Sequence, residues 1–286
     1  MAETCLPALG PGDSLVESTR ILAIRADPAE AQPGTPVTFT PVVASPSGTV
    51  ADAAIVWSFC TEPKPLTEDN IVSTACLGTS ARVAAGSGPN VIAIVPPDAC
   101  SVFGPDTPSA NLRPPDPDST GGYYQPLLAE LAGADTAVDP FRIRCALANA
   151  DAQAASAFAA AYHPNQNPQL LPIASIAGSA PGHAEVERAA RVTLEASWPA
   201  ASAETYVEFD PATQAVTSQR ESMQVAWFAN DGVLDTESTG RASTDLATTS
   251  DNGWTAPATP GVTHFWVVLR DSRGGVDFAE YEVLVQ

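Results

Sequence analysis

Two stretches of this sequence share one layout, and that repetition limits the fold more than any other feature. Each is a series of short runs rich in β-branched and aromatic residues, separated by Gly, Pro, Asn and Asp. Each carries a tryptophan in its third run: AAIVWSFC at 53–60 in the first series and MQVAWFA at 223–229 in the second. Alternation with a period of two buries one face of a strand and leaves the other in water. In RVTLEASW at 191–198, Val192, Leu194, Ala196 and Trp198 share one face, while Thr193, Glu195 and Ser197 share the other. Short strands of this kind, joined by turns, pack as two sheets face to face. The chain therefore reads as all-β, two β-sandwiches in tandem.

The boundaries follow the punctuation. Residues 1–19 read as a flexible polar tail. Residues 20–148 form the first sandwich, with strand runs at 20–28, 36–44, 53–60, 80–85, 90–96, 121–131 and 141–147. Residues 96–122 hold seven prolines and read as a long loop. Residues 149–166 contain the alanine-rich run ADAQAASAFAAAY, a helix with Asp151 in its first turn and Pro164 beyond its end. Residues 167–286 form the second sandwich. Its first strand is expected at 167–176, followed by a polar turn at 178–187, a hairpin around Asp210-Pro211, and a final pair of strands joined by DSRGG at 271–275.

Charge and cysteine usage exclude several classes. Lys and Arg total 13 against 33 Asp and Glu, a formal net charge of −20. A phosphate-binding surface would sit in a repulsive field, so no nucleic-acid partner is expected. No apolar run is long enough to span a bilayer as a helix. The cysteines Cys5, Cys60, Cys76, Cys100 and Cys145 contain no C-x-x-C pair, which removes zinc-ribbon and thioredoxin readings. In a β-patterned acidic chain they point instead to an oxidising compartment, with two disulfides and one cysteine left over. Roughly fifteen frameworks are then possible. The expected pairs are Cys60–Cys76, closing a short loop at the end of the Trp strand, and Cys100–Cys145, tying the proline-rich loop to the strand around Arg144. Cys5 stays unpaired. The first residues lack the basic and apolar regions of a signal peptide, so an extracytoplasmic location implies that a leader has been removed.

Catalytic signatures are lacking. There is no G-x-S-x-G, S-x-x-K, phosphate-binding glycine loop or dinucleotide fingerprint. His163, His183 and His264 lie far apart and read as surface or capping residues. Asp231, Asp235 and Glu237 cluster after a strand, and Asp271 opens the last hairpin turn. These four are the candidate calcium ligands, because calcium collects six to eight oxygens and rigidifies loops of extracellular β modules. Asp is also simply a good turn residue. Of the tryptophans, Trp254 lies in a loop beside Pro257 and is the one candidate for partial exposure, although packing is the favoured reading there too. Asp116 and Asp118 read as a solvated part of the long loop.

Residues 222–285 resemble Ig-like modules of the polycystic-kidney-disease and cadherin-like kind found on bacterial surfaces. The carriers are VAWFA at 225–229, WTAP at 254–257 and WVVLRDSRGG at 266–275. The first half, with WSFC at 57–60, GGYYQP at 121–126 and NQNP at 165–168, looks like the amino-terminal part of surface lipoproteins of myxobacteria-like organisms. The resemblance implies two Ig-like sandwiches at the cell surface, outer membrane or periplasm, with Cys5 as lipid attachment point or free thiol. Membrane association would then be peripheral and through the lipid. The expected function is a non-enzymatic surface or envelope module that binds or scaffolds a protein or glycan. The alternatives are a calcium-dependent adhesin and an accessory domain of a secreted hydrolase. No cofactor is expected apart from calcium.

Overall fold

The computed structural model describes residues 14–65, 67–69, 71–105, 120–173 and 184–286. Cys5, Asp116, Asp118 and His183 lie outside them.

The first sandwich contains β1 (Arg20–Asp27), β2 (Glu30–Ala31), β3 (Pro36–Ser45), β4 (Gly48–Thr49), β5 (Ile55–Cys60), β6 (Arg82–Ser87), β7 (Val91–Ile94), β8 (Gly122–Leu131) and β9 (Ala137–Arg144), with the short helices α1 (Thr74–Leu77) and α2 (Ala99–Phe103). One sheet runs β1-β3-β4 with β7 on β3, and the other runs β2-β9-β8-β5-β6. After α3 (Ala152–Ala161) comes the second sandwich: β10 (Ala184–Val186), β11 (Arg191–Ser197), β12 (Thr205–Asp210), β13 (Ala215–Arg220), β14 (Met223–Ala229), β15 (Val233–Leu234), β16 (Ser238–Arg241), β17 (Thr249–Thr255), β18 (Gly261–Asp271) and β19 (Val276–Val285). Its sheets are β10-β19-β18-β14-β16 and β11-β17-β15.

The two halves repeat one topology. In each, a short strand pairs parallel with the last strand: β2 with β9, and β10 with β19. The Trp strand is flanked in each by one late strand and one edge strand, antiparallel to both. Trp57 and Trp227 occupy corresponding central positions and are buried. Each indole N–H finds an acceptor at the neighbouring edge, Trp57 on the Gly88 carbonyl at 2.9 Å and Trp227 on Thr239 Oγ1 at 2.9 Å. Buried indole N–H groups usually find such a partner. The core of the first sandwich gathers Phe39, Ile55, Trp57, Phe59, Leu127 and Phe141. The second gathers Leu194, Trp198, Trp227, Trp254, Phe265 and Leu269.

Several expectations need correcting. Residues 14–16 are not part of a free tail. Val16 is fully buried, its N–H donates to the Ala229 carbonyl at 2.8 Å, and Ala229 N–H donates to Ser14 at 3.0 Å. The chain thus touches the second sandwich before entering the first. Residues 184–186 form β10 rather than a turn, because parallel pairing with β19 satisfies their backbone. Trp254 is fully buried, as the favoured reading had it, but in a strand and not in a loop. It lies on β17 edge-to-face with Phe265, and its N–H donates to the Asp231 carbonyl at 3.1 Å. Gly232, at φ +80°, makes room for that indole, where any side chain would collide. The alanine-rich helix forms as read, with Asp151 as N-cap accepting from Ala154 N–H at 2.7 Å. It packs through Ala154 and Phe158 on Val207 and Phe209 of the β12–β13 hairpin.

The sandwiches lie face against sheet. The outer face of β1 and β3 meets the outer face of β14, β18 and β19. Ala23, Val42 and Ala44 pack with Ala226, Phe228, Trp266, Val268 and Val276 in one buried cluster that includes Val16. Polar contacts frame it: Trp266 Nε1 donates to Thr49 Oγ1 at 2.7 Å, Asn230 Nδ2 to the Pro46 carbonyl at 2.8 Å, and Thr49 N–H to Glu280 at 3.1 Å. Gly48, at φ +110°, lets the β3–β4 turn close over His264.

Candidate functional site

Both disulfides lie in the first sandwich, and each fastens a loop to its five-stranded sheet. Cys60 ends β5 and Cys76 sits in α1, with their Cα atoms 5.3 Å apart. Cys100, in α2, joins Cys145 just after β9, at 5.7 Å. The described residues between 61 and 81 fold as a cap over the outer face of the sheet. Cys60, Val72, Cys76, Ala81 and Leu128 form its own small core, with Phe103 and Val138 against it.

Polar contacts hold the cap in one conformation. Ser73 caps α1 by accepting from Ala75 N–H at 3.3 Å. The Glu68 carboxylate accepts from Thr74 N–H at 2.7 Å and from its hydroxyl at 2.5 Å, and these bonds hold its pKa below the usual carboxylate value. Arg82 of β6 donates to the Cys76 and Leu77 carbonyls at the open end of α1 and pairs with Glu130 of β8 at 2.8 Å. The carbonyls that a helix end leaves without partners are thereby satisfied by a cation. On this rigid frame Ile71 and Leu77 face solvent, at 66% and 42% exposure.

The four candidate calcium ligands do not come together. Asp231 follows the end of β14, whereas Asp271 pairs in register with Met223 at that strand's start. Seven residues of strand therefore separate them. Asp235 is taken by Arg191 as a two-pronged ion pair. Asp231 accepts from Gly232 N–H at 2.7 Å. Asp271 is buried and accepts from Gly275 N–H at 2.8 Å, Arg273 N–H at 2.9 Å and Asn165 Nδ2 at 3.3 Å. Among the described residues no group of three or more His, Cys, Asp or Glu is arranged to hold a metal ion. The histidines are likewise apart: His163 precedes Pro164 in the connecting segment, and His264 faces Glu280 and Glu282 on β19 at 3.6 and 3.4 Å.

Sequence reasoning missed a buried polar joint. The NQNP run at 165–168 links two charged clusters, one from each sandwich. Glu30 pairs with Arg142 at 3.0 Å and accepts from the Tyr162 hydroxyl and from Asn165 N–H. Arg273 pairs with Glu221 at 2.6 Å and Glu204 at 2.9 Å, and stacks over Tyr206. Asn167 donates to the Ala26 carbonyl at 2.6 Å and accepts from Val276 N–H at 2.9 Å, joining one sandwich directly to the other. Burial, helped by the neighbouring Asp271 charge, pushes Glu221 up to about 8 against the pull of Arg273. Burial raises Asp271 as well. The only advance signal for this joint was a cluster of amides beside a proline.

Among the described residues no helix is long and apolar enough to cross a membrane. No family profile matches the sequence, and no curated protein does. Similarities are found among solved structures. A nucleoside hydrolase-related hypothetical protein from Saccharophagus degradans, associated with carbohydrate metabolism, is 12% identical at TM-score 0.23, over 43% of this chain and 26% of that one. The adhesin InvE of Yersinia pseudotuberculosis is 8% identical at TM-score 0.26, over 92% and 58%. The D00-D0 domain of intimin is 12% identical at TM-score 0.24, over 94% and 98%. The chain thus spans about a quarter of the first of these proteins and under two thirds of the second. At such TM-scores the fold assignment rests on strand pairing alone.

Proposed function

We propose that this protein is a non-enzymatic, extracytoplasmic module that binds a protein partner through the disulfide-bound cap of its first sandwich. The carrying observation is where the cross-links fall. Both stiffen loops over one sheet of the first sandwich, while the corresponding sheet of the second is used up in holding the two sandwiches together. Cross-linked loops suit an oxidising compartment and lower the ordering cost of binding. All five tryptophans are buried, four in the sandwich cores and Trp266 in the contact between the sandwiches, so none offers a platform for a sugar ring. The apolar pair Ile71 and Leu77 therefore favours a protein over a glycan. The acidic side chains described above are engaged in structural pairs, which speaks against their serving as a general acid and base.

The test has two arms. Thiol alkylation in intact and permeabilised cells reports compartment: the reading requires Cys60, Cys76, Cys100 and Cys145 to resist alkylation until reduced. The chain and its Ile71→Asp/Leu77→Asp variant are then compared on an array of extracytoplasmic proteins and glycans. Binding to a protein that the variant loses supports the reading. Turnover on a hydrolase panel, or protein binding indifferent to both substitutions, refutes it.

A further inference from the structure

His264 stands where the two sandwiches meet, and its surroundings come from both. It lies on β18, two residues before Trp266, and the two rings are nearly parallel, 25° apart with centroids at 6.1 Å. From the first sandwich, the β3–β4 turn is seated on the imidazole. A Cβ on Gly48 would meet its Cε1 at 2.9 Å, Nδ1 at 3.2 Å and Nε2 at 3.3 Å. The backbone here is tied down as well. His264 N–H donates to Asn230 Oδ1 at 2.8 Å, and Asn230 Nδ2 donates across the junction to the Pro46 carbonyl at 2.8 Å.

One atom of this ring is left over. Nδ1 is buried and makes no hydrogen bond, yet two carboxylates of β19 approach it, Glu282 at 3.4 Å and Glu280 at 3.6 Å. Glu280 also accepts from Thr49 N–H at 3.1 Å, and Thr49 Oγ1 accepts from the Trp266 indole at 2.7 Å. Glu280 therefore links the ring to the turn of the other sandwich. Among the described residues no other charged group pairs with the ring. The turn residues 45–49 carry no charge. Asp231, beside Asn230, accepts from Gly232 N–H, and Glu185 of β10 lies opposite Leu284 and not opposite Glu282. A neutral imidazole, in either tautomer, leaves two like charges beside an uncharged ring. The cation puts an N–H on Nδ1 and a positive charge between them. Its side chain is only 14% exposed, so solvent screens that attraction less than it would on an open surface.

We infer that His264 is a proton-sensitive latch on the junction between the two sandwiches. Its cation draws Glu280 and Glu282 together, and Glu280 in turn holds Thr49 N–H and with it the β3–β4 turn. When the imidazole gives up its proton, the two carboxylates repel each other at the edge of the contact and the turn is held less firmly. An imidazole ordinarily changes charge between about pH 5 and 8. Mild acidification therefore closes this edge, and the hold is lost as pH rises. The apolar part of the contact, around Trp266, Phe228 and Val268, carries no titrating group and stays packed. The result is a joint whose stiffness follows pH.

Hydrogen exchange of the full chain tests this, read as protection relative to the intrinsic rate at each pH, from about pH 5.5 to about pH 8. Protection of residues 47–49 and of the Trp266 indole N–H should fall by about three- to tenfold across that range, measured against the core strand at 55–60 as internal reference. His264→Phe keeps a ring under Gly48 but has no proton to lose, and its protection there should no longer depend on pH. Glu280→Gln/Glu282→Gln keeps the imidazole and removes the charges it answers; it should flatten the profile too, and it decides the matter if the phenylalanine variant does not fold. Glu221→Gln, in the separate buried joint, should leave the profile of 47–49 unchanged. A wild-type profile that is flat or rises with pH would overturn the inference. So would a fall that persists in His264→Phe or in the double glutamine variant, or one abolished by Glu221→Gln.

Discussion

Trp266→Ala separates the contact between the sandwiches from their cores. The indole is fully buried in the interdomain cluster, against Phe228 and Val268 of its own sheet and Val42 and Ala44 of the other sandwich. Its N–H reaches Thr49 across the junction. Truncating a buried tryptophan costs about 3–5 kcal/mol through lost burial and the cavity left behind. The hydroxyl that loses its donor adds about 0.5–1.5 kcal/mol. Unfolding entropy for 286 residues is about 0.6 kcal/mol per kelvin, so a chain that melts as one unit should lose about 6–11 °C. Trp57→Ala is the control, since it opens a cavity of the same class inside the first core. Hydrogen exchange distinguishes them. Trp266→Ala should raise exchange on both sides of the junction, at residues 40–49 and 223–229. Trp57→Ala should raise it only in the first sandwich. Melting within a degree of wild type, with protection of residues 40–49 unchanged, would refute the claim that this face holds the sandwiches together.

Two further outcomes follow. The Cys60–Cys76 and Cys100–Cys145 loops span 16 and 45 residues; on a chain-entropy basis their loss costs about 3 and about 4 kcal/mol. Paired serine variants followed by denaturant melts measure this, and non-reducing peptide mapping checks the pairing. Glu221, pushed up to about 8 by burial and by Asp271, holds its proton in the folded state at a pH where the unfolded chain has released it. The folded state then binds more protons between about 4.5 and 8, so this group's contribution to stability is full at the lower pH and lost as pH rises through 8. Melting temperature should fall between pH 6 and pH 9, and Glu221→Gln should flatten that slope; an equal slope in the variant contradicts the assignment.

How much was legible in the sequence depends on the range of the forces involved. Strand pattern is local: alternation in RVTLEASW and the third-run tryptophans arise within one strand, and the structure places Leu194, Ala196 and Trp198 in the core as the pattern requires. The helix cap at Asp151 is local too. The strand at Trp254 reads as a loop because its surroundings are non-local: the indole fits under Gly232 and against Phe265, neither adjacent in sequence. β10 was missed because the alternation of Ala184, Glu185 and Val186 is too short to stand out, and only pairing with β19, about a hundred residues on, makes them a strand. The acids at 231–237 and 271 looked alike as sequence. Strand direction then sent them to opposite ends of β14, and one of them, Asp271, belongs to a buried joint that no spacing rule describes. The NQNP run carried weight only as a resemblance, yet its amides reach both sandwiches.

A single connection accounts for the different surfaces the repeats present. After the Trp strand of the second sandwich, residues 230–235 turn back to cover the edge of β17. This leaves the outer face of β14 and β18 open, and the first sandwich docks there. After the Trp strand of the first sandwich, Cys60 is bonded to Cys76, and the connection lies across the outer face of its own sheet instead. That face cannot take a further sandwich in the same manner, because Val72 and Cys76 already occupy the space over Leu128. The same diversion leaves Ile71 and Leu77 exposed on the cap. Cleaving the Cys60–Cys76 bond should therefore act beyond stability. It frees the cap from β5 and, with it, the surface on which the proposed binding depends, while the junction built on Trp266 and Phe228 stays intact. A reduced Cys60→Ser/Cys76→Ser chain that kept its junction but lost partner binding would assign recognition to the cap; one that kept both would move recognition elsewhere on the molecule.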